Sequence, residues 1–244
     1  MKDNFLVKNT IAHRGIFDND KVPENSIKAF KSAINKGYVI EFDVHLTKDK
    51  KIVVFHDMEL DRMTKKTGKI KELTLDEMQK IKLLDTNYTI PSLDEVLELI
   101  DGKVPILIEI KYDVKGFELP RLLLERLKTY KGEVAIQSFD PFVVSYFRFH
   151  KNDYLRGLLI GSFRSKIKNI FINNLFLLPF DIFITKPDFL AVDKKLYKNK
   201  KVKNFKKKKT VVAWTMKSKD DVDKYKEKFD NIICNINDCI WFVL

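Results

Sequence analysis

The stretch Glu41-Phe42-Asp43-Val44-His45-Leu46-Thr47-Lys48-Asp49-Lys50-Lys51-Ile52-Val53-Val54-Phe55-His56-Asp57 decides the fold. Glu41 and Asp43 stand two apart, and in a strand such positions share a face, so both carboxylates point the same way. A second apolar run, Ile52 to Phe55, ends on His56 and Asp57. Only Val44 to Lys51 separates Asp43 from that run, which is too short for the helical crossover that joins parallel strands. The chain either returns outside the sheet as an extended strap or turns back as a hairpin, and both routes bring His56 beside the acidic pair. An acidic pair on a strand is ordinarily a solvated face. Here Val39, Ile40, Phe42 and Val44 flank the carboxylates and mark the strand as buried. Two carboxylates and an imidazole are costly in a core and useful in a site.

Upstream, Asn9 to Ala12 reads as a short strand closed by His13-Arg14-Gly15. Pro23-Glu24-Asn25-Ser26 then opens a helix with Ile27, Phe30 and Ile34 at helical spacing and Gly37 as its stop. After Asp57 a polar segment runs to about Tyr88. It holds a helix from Leu75 to Ile81 with Thr74 and Glu77 spaced as a capping box. This segment, about 57–90, reads as an insertion beside the site rather than a domain of its own. Pro91-Ser92 starts the next helix. Further strands follow at Val104–Ile110, Glu133–Gln137, Leu155–Ile160, Phe189–Val192, Thr210–Trp214 and Asn231–Cys234, with helical patterns between most of them. Short apolar strands alternating with helices suit a parallel sheet covered on both faces. About eight or nine such strands favour an α/β fold of the TIM (β/α)8 barrel type, one domain over 1–244, above an open doubly wound sheet. No glycine-rich fingerprint follows the first strand.

The 244 residues are 45% hydrophobic and 33% charged, enough for a large core and too apolar for general disorder. The net charge is +12, from 46 basic and 34 acidic residues. That balance suits an anionic partner, such as a phosphate or an anionic membrane surface, although a lysine-rich composition also occurs as a general bias. None of the nucleic-acid motifs is present. Cys234 and Cys239 have neither zinc nor redox spacing and fit a reducing compartment. The N-terminus lacks the apolar core of a signal peptide, and no apolar run reaches spanning length. The nearest run, Ile167 to Ile184, is broken by Asn169, Asn173, Asn174, Pro179 and Asp181. The expected location is cytoplasmic, with peripheral membrane contact as an option.

In a barrel the strand ends converge on one rim. The polar residues at those ends are His13 and Arg14, Glu41 and Asp43, His56, Glu109 and Lys111, Gln137 and Ser138, and Trp214. Singly, each has an ordinary structural account: a core histidine, a loop charge, an ion pair of Glu109 with Lys111, a core tryptophan. Together they form an inventory. Glu41, Asp43 and Glu109 are hard oxygen donors suited to Ca²⁺ or Mg²⁺. Arg14 offers a fork for phosphate and Lys111 a point charge. Two histidines supply an acid and a base near neutral pH. The set describes phosphoryl transfer from a diester.

These residues resemble the signature of the glycerophosphodiester phosphodiesterase family. The pieces are Ala12-His13-Arg14-Gly15, Pro23-Glu24-Asn25-Ser26, Glu41-Phe42-Asp43-Val44, Val54-Phe55-His56-Asp57, Leu60-Asp61-Arg62-Met63-Thr64, Ile108-Glu109-Ile110-Lys111, Ser138-Phe139-Asp140 and Ala213-Trp214-Thr215. The resemblance implies metal-dependent hydrolysis of a glycerophosphodiester to glycerol 3-phosphate and an alcohol. His13 would be base or nucleophile and His56 the acid. Glu41, Asp43 and Glu109 would hold one divalent cation, Ca²⁺ or Mg²⁺. Arg14 and Lys111 would bind phosphate, with Asn25 orienting His13 or the metal shell and Trp214 lining the pocket. Cys234-Asn235 stands where the family usually has Thr-Asp, and Met216-Lys217 follows the tryptophan motif instead of Val-Asn. These departures are expected to touch the pocket wall rather than the ligand set. The alternatives are a lysophospholipase D acting at a membrane surface, carried by the apolar 167–184 stretch and the lysines after it, and a silent binding module for anionic headgroups. The second is disfavoured because both histidines and all three acids are present.

Overall fold

The structure, a computed structural model, describes residues 4–111, 116–150, 152–161 and 179–239. Nine strands form one sheet: β1 (Ile11–His13), β2 (Val39–Leu46), β3 (Ile52–Val54), β4 (Ile106–Ile110), β5 (Val134–Ser138), β6 (Leu155–Ile160), β7 (Phe189–Asp193), β8 (Thr210–Met216) and β9 (Asn231–Cys234). Pairing of β1 with both β9 and β2 closes eight parallel strands into a ring. This is the (β/α)8 barrel. β3 lies outside the ring, antiparallel to β2, so the return after Asp43 is a hairpin rather than a strap.

Helices cover the ring because each carries one apolar face. Among the described residues they are α1 (Phe5–Lys8), α2 (Ile27–Asn35), α3 (Leu75–Gln79), α4 (Leu93–Ile100), α5 (Glu118–Leu127), α6 (Pro141–Phe149), α7 (Pro179–Thr185), α8 (Lys200–Lys206), α9 (Lys219–Tyr225) and α10 (Ile236–Cys239). Ser26 caps α2, and capping boxes at Thr74–Glu77 and Ser92–Glu95 start α3 and α4. Of the apolar stretch 167–184, residues 167–178 lie outside the described residues and the remainder belongs to α7. No helix among the described residues is long and apolar enough to cross a membrane.

Strand alternation sorts the two cores. Ala12, Ile40, Phe42, Val44, Ile106, Ile108, Ile136, Leu190 and Ala213 face the helices. The neighbouring parity, Ile11, Val39, Leu107, Ala135, Leu159, Phe189, Val212 and Ile233, fills the barrel, and Phe5 and Leu6 of α1 join this cluster as a plug. Asn231 ties the plug down by donating Nδ2 to the carbonyls of Leu6 and Asn9, each at 2.7 Å. β3 and the residues following it build a third cluster from Val53, Phe55, Leu60, Met63, Ile70, Met78, Leu83 and Ile90.

The interior is filled to contact. A Cβ at Gly157 would come within 2.2 Å of Cζ of Phe189, whose ring is buried and has nowhere to retreat. Gly157→Ala is therefore expected to destabilise the barrel by about 1–3 kcal/mol, read as a lower urea midpoint with unchanged slope.

Candidate active site

The interior parity that is apolar low in the barrel turns polar at the C-terminal ends of the strands. His13, Glu41, Asp43, Glu109, Gln137, Asp193 and Trp214 all continue the inward-facing positions of their strands. Register makes neighbours of them: His13 opposes Glu41, Asp43 opposes Glu109, Glu109 opposes Gln137, and Asp193 opposes Trp214. All but Asp43, which lies just behind, line an open cavity of about 680 Å³, together with Arg14, His56, Arg62, Lys111, Phe139 and Asn235.

Glu41, Asp43 and Glu109 are buried, and ligand oxygens of the three lie within 4.8 Å of one another. Burial, then the nearby Asp43 and Glu109 charges, push the Glu41 carboxyl well above its ordinary range. Glu109 is also raised, by burial and by Asp43, against the pull of Lys111. Asp43 goes the other way: burial opposes ionisation, but Lys111, Arg14 and His56 together hold it well below the carboxylate range. Lys111 Nζ lies 2.8 Å from Asp43 Oδ1, though not aligned as a hydrogen bond, and donates to Glu109 Oε1. Asn25 donates Nδ2 to Asp43 Oδ2 at 3.0 Å. Asn25 does not line the cavity; it supports Asp43.

The cluster fits a divalent cation on its own chemistry. Its donors are all hard oxygens, and two of the carboxyls resist ionisation because no sufficient positive charge faces them. The buried carbonyl oxygens Asn25 Oδ1 and Gln137 Oε1 accept no hydrogen bond. Such orphaned acceptors around an acid triad are what a cation's ligand shell leaves behind.

Arg14 is held in a left-handed backbone conformation (φ 57°) with its carbonyl accepting from Asn25 N–H at 3.1 Å and its own N–H donating to Glu41 Oε2 at 3.1 Å. Gly15 makes the exit: its φ is +82°, and a Cβ there would meet the Ala29 backbone at 2.9 Å. The Arg14 guanidinium pairs with Glu24 at 2.6 Å, while its buried Nε has no hydrogen-bond partner.

The two histidines have unlike partners. His13 Nδ1 is 2.7 Å from Asn235 Oδ1, and Asn235 Nδ2 donates to Asp238 Oδ2 at 3.2 Å. That amide orientation makes Oδ1 an acceptor, so the His13 proton sits on Nδ1 and Nε2 keeps its lone pair. Burial, and then Arg14, push His13 down to about 3. His56 Nδ1 instead donates to a carboxylate, Asp57 Oδ1, at 2.5 Å. Asp57 is held by Arg62 Nε at 2.5 Å, and Arg62 reaches Glu24 Oε1 at 2.7 Å. Burial lowers His56 as well, against the raising effect of Asp43 and Asp57. Glu24, between Arg14 and Arg62, is held down to about 2 despite its burial.

Trp214 donates Nε1 to the Ala191 carbonyl at 3.0 Å and meets Phe139 edge to face at 5.6 Å. The β8–β9 register is irregular between Ala213 and Met216, where the tryptophan emerges.

The structure thus brings His13, Arg14, Glu41, His56, Glu109, Lys111 and Trp214 to one cavity, with Asp43 just behind and supported by Asn25. It also adds residues that the sequence reading left without a role: Glu24, Asp57, Arg62, Gln137 and Asn235. The departure at Asn235 lies in the cavity wall, as expected, and its side chain also contacts His13. Its signal was available, because Asn235 follows Ile233 by two and so shares its inward face.

Residues 13–231 match the glycerophosphoryl diester phosphodiesterase family. A glycerophosphodiester phosphodiesterase of Caldanaerobacter subterraneus subsp. tengcongensis is 42% identical over 143 residues, 54% of this chain and 58% of that protein. One of Bacillus altitudinis is 39% identical over 140 residues, 52% of this chain and 56% of that protein. The matches thus span only about half the length of these relatives. Among solved structures, an Oleispira antarctica phosphodiesterase in complex with the product sn-glycerol-3-phosphate superposes with TM-score 0.77 at 22% identity, covering 93% of this chain and 92% of that one. A Thermotoga maritima glycerophosphodiester phosphodiesterase superposes with TM-score 0.71 at 27% identity, covering 93% of each.

The raised Glu41 and Glu109 give a pH signature. Below their raised pKa values these carboxyls hold protons that a cation must displace, so affinity for Mg²⁺ or Ca²⁺ should fall as pH drops through that region. Calorimetric titration in two buffers of different ionisation heat should show net proton release, smaller in Glu41→Gln. A binding heat independent of the buffer would contradict this.

Proposed function

The chain belongs to the glycerophosphoryl diester phosphodiesterase family, and from that premise we propose that it hydrolyses glycerophosphodiesters to glycerol 3-phosphate and a free alcohol. The observation that carries the reading is a single cavity lined by two histidines with opposite partners, beside an acid triad and two cations. The relative from Oleispira antarctica holds sn-glycerol-3-phosphate as product.

Glu41, Asp43 and Glu109 would hold one divalent cation, Ca²⁺ or Mg²⁺, which would supply Lewis-acid stabilisation of the phosphoryl oxygens' growing negative charge. Lys111 and the Arg14 guanidinium add positive charge for the phosphate. The partners of the histidines divide the proton work. His13, facing a neutral amide, stays uncharged with Nε2 unprotonated and takes the proton from the attacking oxygen. His56, backed by the Asp57 carboxylate, supports the imidazolium and returns a proton to the departing alcohol oxygen as the phosphorus–oxygen bond breaks. Asn25 fixes Asp43, and Trp214 with Phe139 forms the apolar wall.

A second reading, turnover of single-chain phospholipids at an anionic bilayer, is favoured by one observation. Phe117 and Phe142 are exposed, and each follows the C-terminal end of a ring strand, on the rim that bears the cavity. Under this reading lysophosphatidylcholine is hydrolysed faster than glycerophosphocholine, and anionic vesicles at low salt retain the protein. Equal release from both substrates without vesicle binding removes it.

Leaving-group dependence tests the assignment of acid and base. His56→Ala should lower kcat on glycerophosphocholine by about 10²–10⁴-fold and by far less on a p-nitrophenyl diester of glycerol phosphate, whose leaving group needs no proton. His13→Ala should lose rate on both. Equal losses in the two variants on both substrates would refute the division of roles, and activity that survives EDTA would refute the cation.

A further inference from the structure

We propose that the wall of the cavity opposite the acid triad recognises a second anionic group, so that the preferred substrates are diesters whose alcohol bears a further phosphate. The proposal rests on the diesterase reading above and extends it to substrate class.

The reacting phosphate is already served by Arg14 and Lys111, on the β1 and β4 side of the ring. Across the cavity, the ends of β7 and β8 supply three more cations, Lys194, Lys195 and Lys217. Lys194 is committed to the fold: its Nζ donates to the Thr215 carbonyl at 3.1 Å and to Asp221. Lys195 and Lys217 are exposed and form no ion pair among the described residues. Their backbones are nonetheless fixed. Asp193 Oδ1 accepts from Lys195 N–H at 2.8 Å, and Asp221 Oδ2 accepts from Lys217 N–H at 3.1 Å. Two aspartates thus spend carboxylate oxygens on holding the segments that present these ammonium groups.

A lysine-rich chain scatters cations over its whole surface, and most serve only solvation. These two differ because they line the catalytic cavity. In ring order the ends of β5 and β6 lie between the two cationic sides, and they bring Phe139 and Leu159 to the lining. The arrangement is cation, apolar wall, cation. It matches two phosphates joined by a short carbon chain. Asp193 also lines that wall, with Oδ1 taken by the Lys195 N–H, and a neutral alcohol gains nothing from the two ammonium groups.

The test compares glycerophosphoglycerol, whose alcohol is neutral, with bis(glycerophospho)glycerol, whose alcohol carries a second phosphate. Two equivalent ester bonds in the latter account for a factor of about two. Beyond that factor, wild-type kcat/KM should favour the doubly charged compound by about fivefold to tenfold at low ionic strength, the scale of two partly exposed charge pairs. The preference should fade between about 20 mM and about 500 mM NaCl. Lys195→Ala/Lys217→Ala should collapse the ratio, while Lys195→Arg/Lys217→Arg should keep it. The same ratio should appear in Kd measured by calorimetry on His56→Ala, which needs no turnover. A wild-type ratio no greater than the statistical factor, or one unchanged in the double alanine variant, would overturn the proposal. If neither compound is hydrolysed, the diesterase reading falls while the Kd comparison still decides this one.

Discussion

Three carboxylates packed into one buried spot set the terms for everything around them. Like charges within 4.8 Å of each other, out of water, cannot all ionise unless something answers them. The chain answers only part of the demand. Asp43 receives Lys111, the Arg14 guanidinium and the Asn25 amide, and it ionises. Glu41 and Glu109 receive too little, and burial pushes both carboxyls up. The unanswered remainder is the physical case for a cation. It also explains the second ring of charges, in which Glu24 buffers Arg14 and Arg62 so that the cations do not simply collapse onto the acids.

The two histidines show how a symmetrical pair of side chains becomes unsymmetrical. Both present a ring nitrogen to the cavity, and both carry a partner on Nδ1. One partner is an amide whose own orientation is set by Asp238, and the other is a carboxylate set by Arg62. A neutral acceptor fixes a tautomer without favouring the charged ring, whereas an anionic acceptor does both. The difference comes from residues next to the histidines rather than from the histidines themselves.

Much of this was legible in the sequence because strand alternation is a strict rule. The spacing of Glu41 and Asp43 gave their shared face, and Glu109, at the end of an otherwise apolar strand, gave its own. The capping boxes at Thr74 and Ser92 fixed two helix starts from local chemistry alone. What escaped was decided by contacts between distant segments. The hairpin of β2 and β3 could not be told from a strap, because both satisfy the same short connection. Arg62 sits in a polar segment with no periodicity to mark it, and its partners lie 5 and 38 residues away. Asn235 lies one step beyond the last strand, where alternation still sets its side but the apolar pattern that marks a strand has ended.

The seam between β1 and β9 joins Ile11 to Ile233, and the pair of His13 with Asn235 spans 222 positions of chain. A contact of such sequence separation is entropically slow to form, and it comes after the local helices and hairpin are available. A nascent chain can therefore own nearly all its secondary structure while its first histidine still lacks a fixed tautomer. Competence for proton transfer arrives only with the last strand, so the site doubles as a gauge of whether the ring has shut.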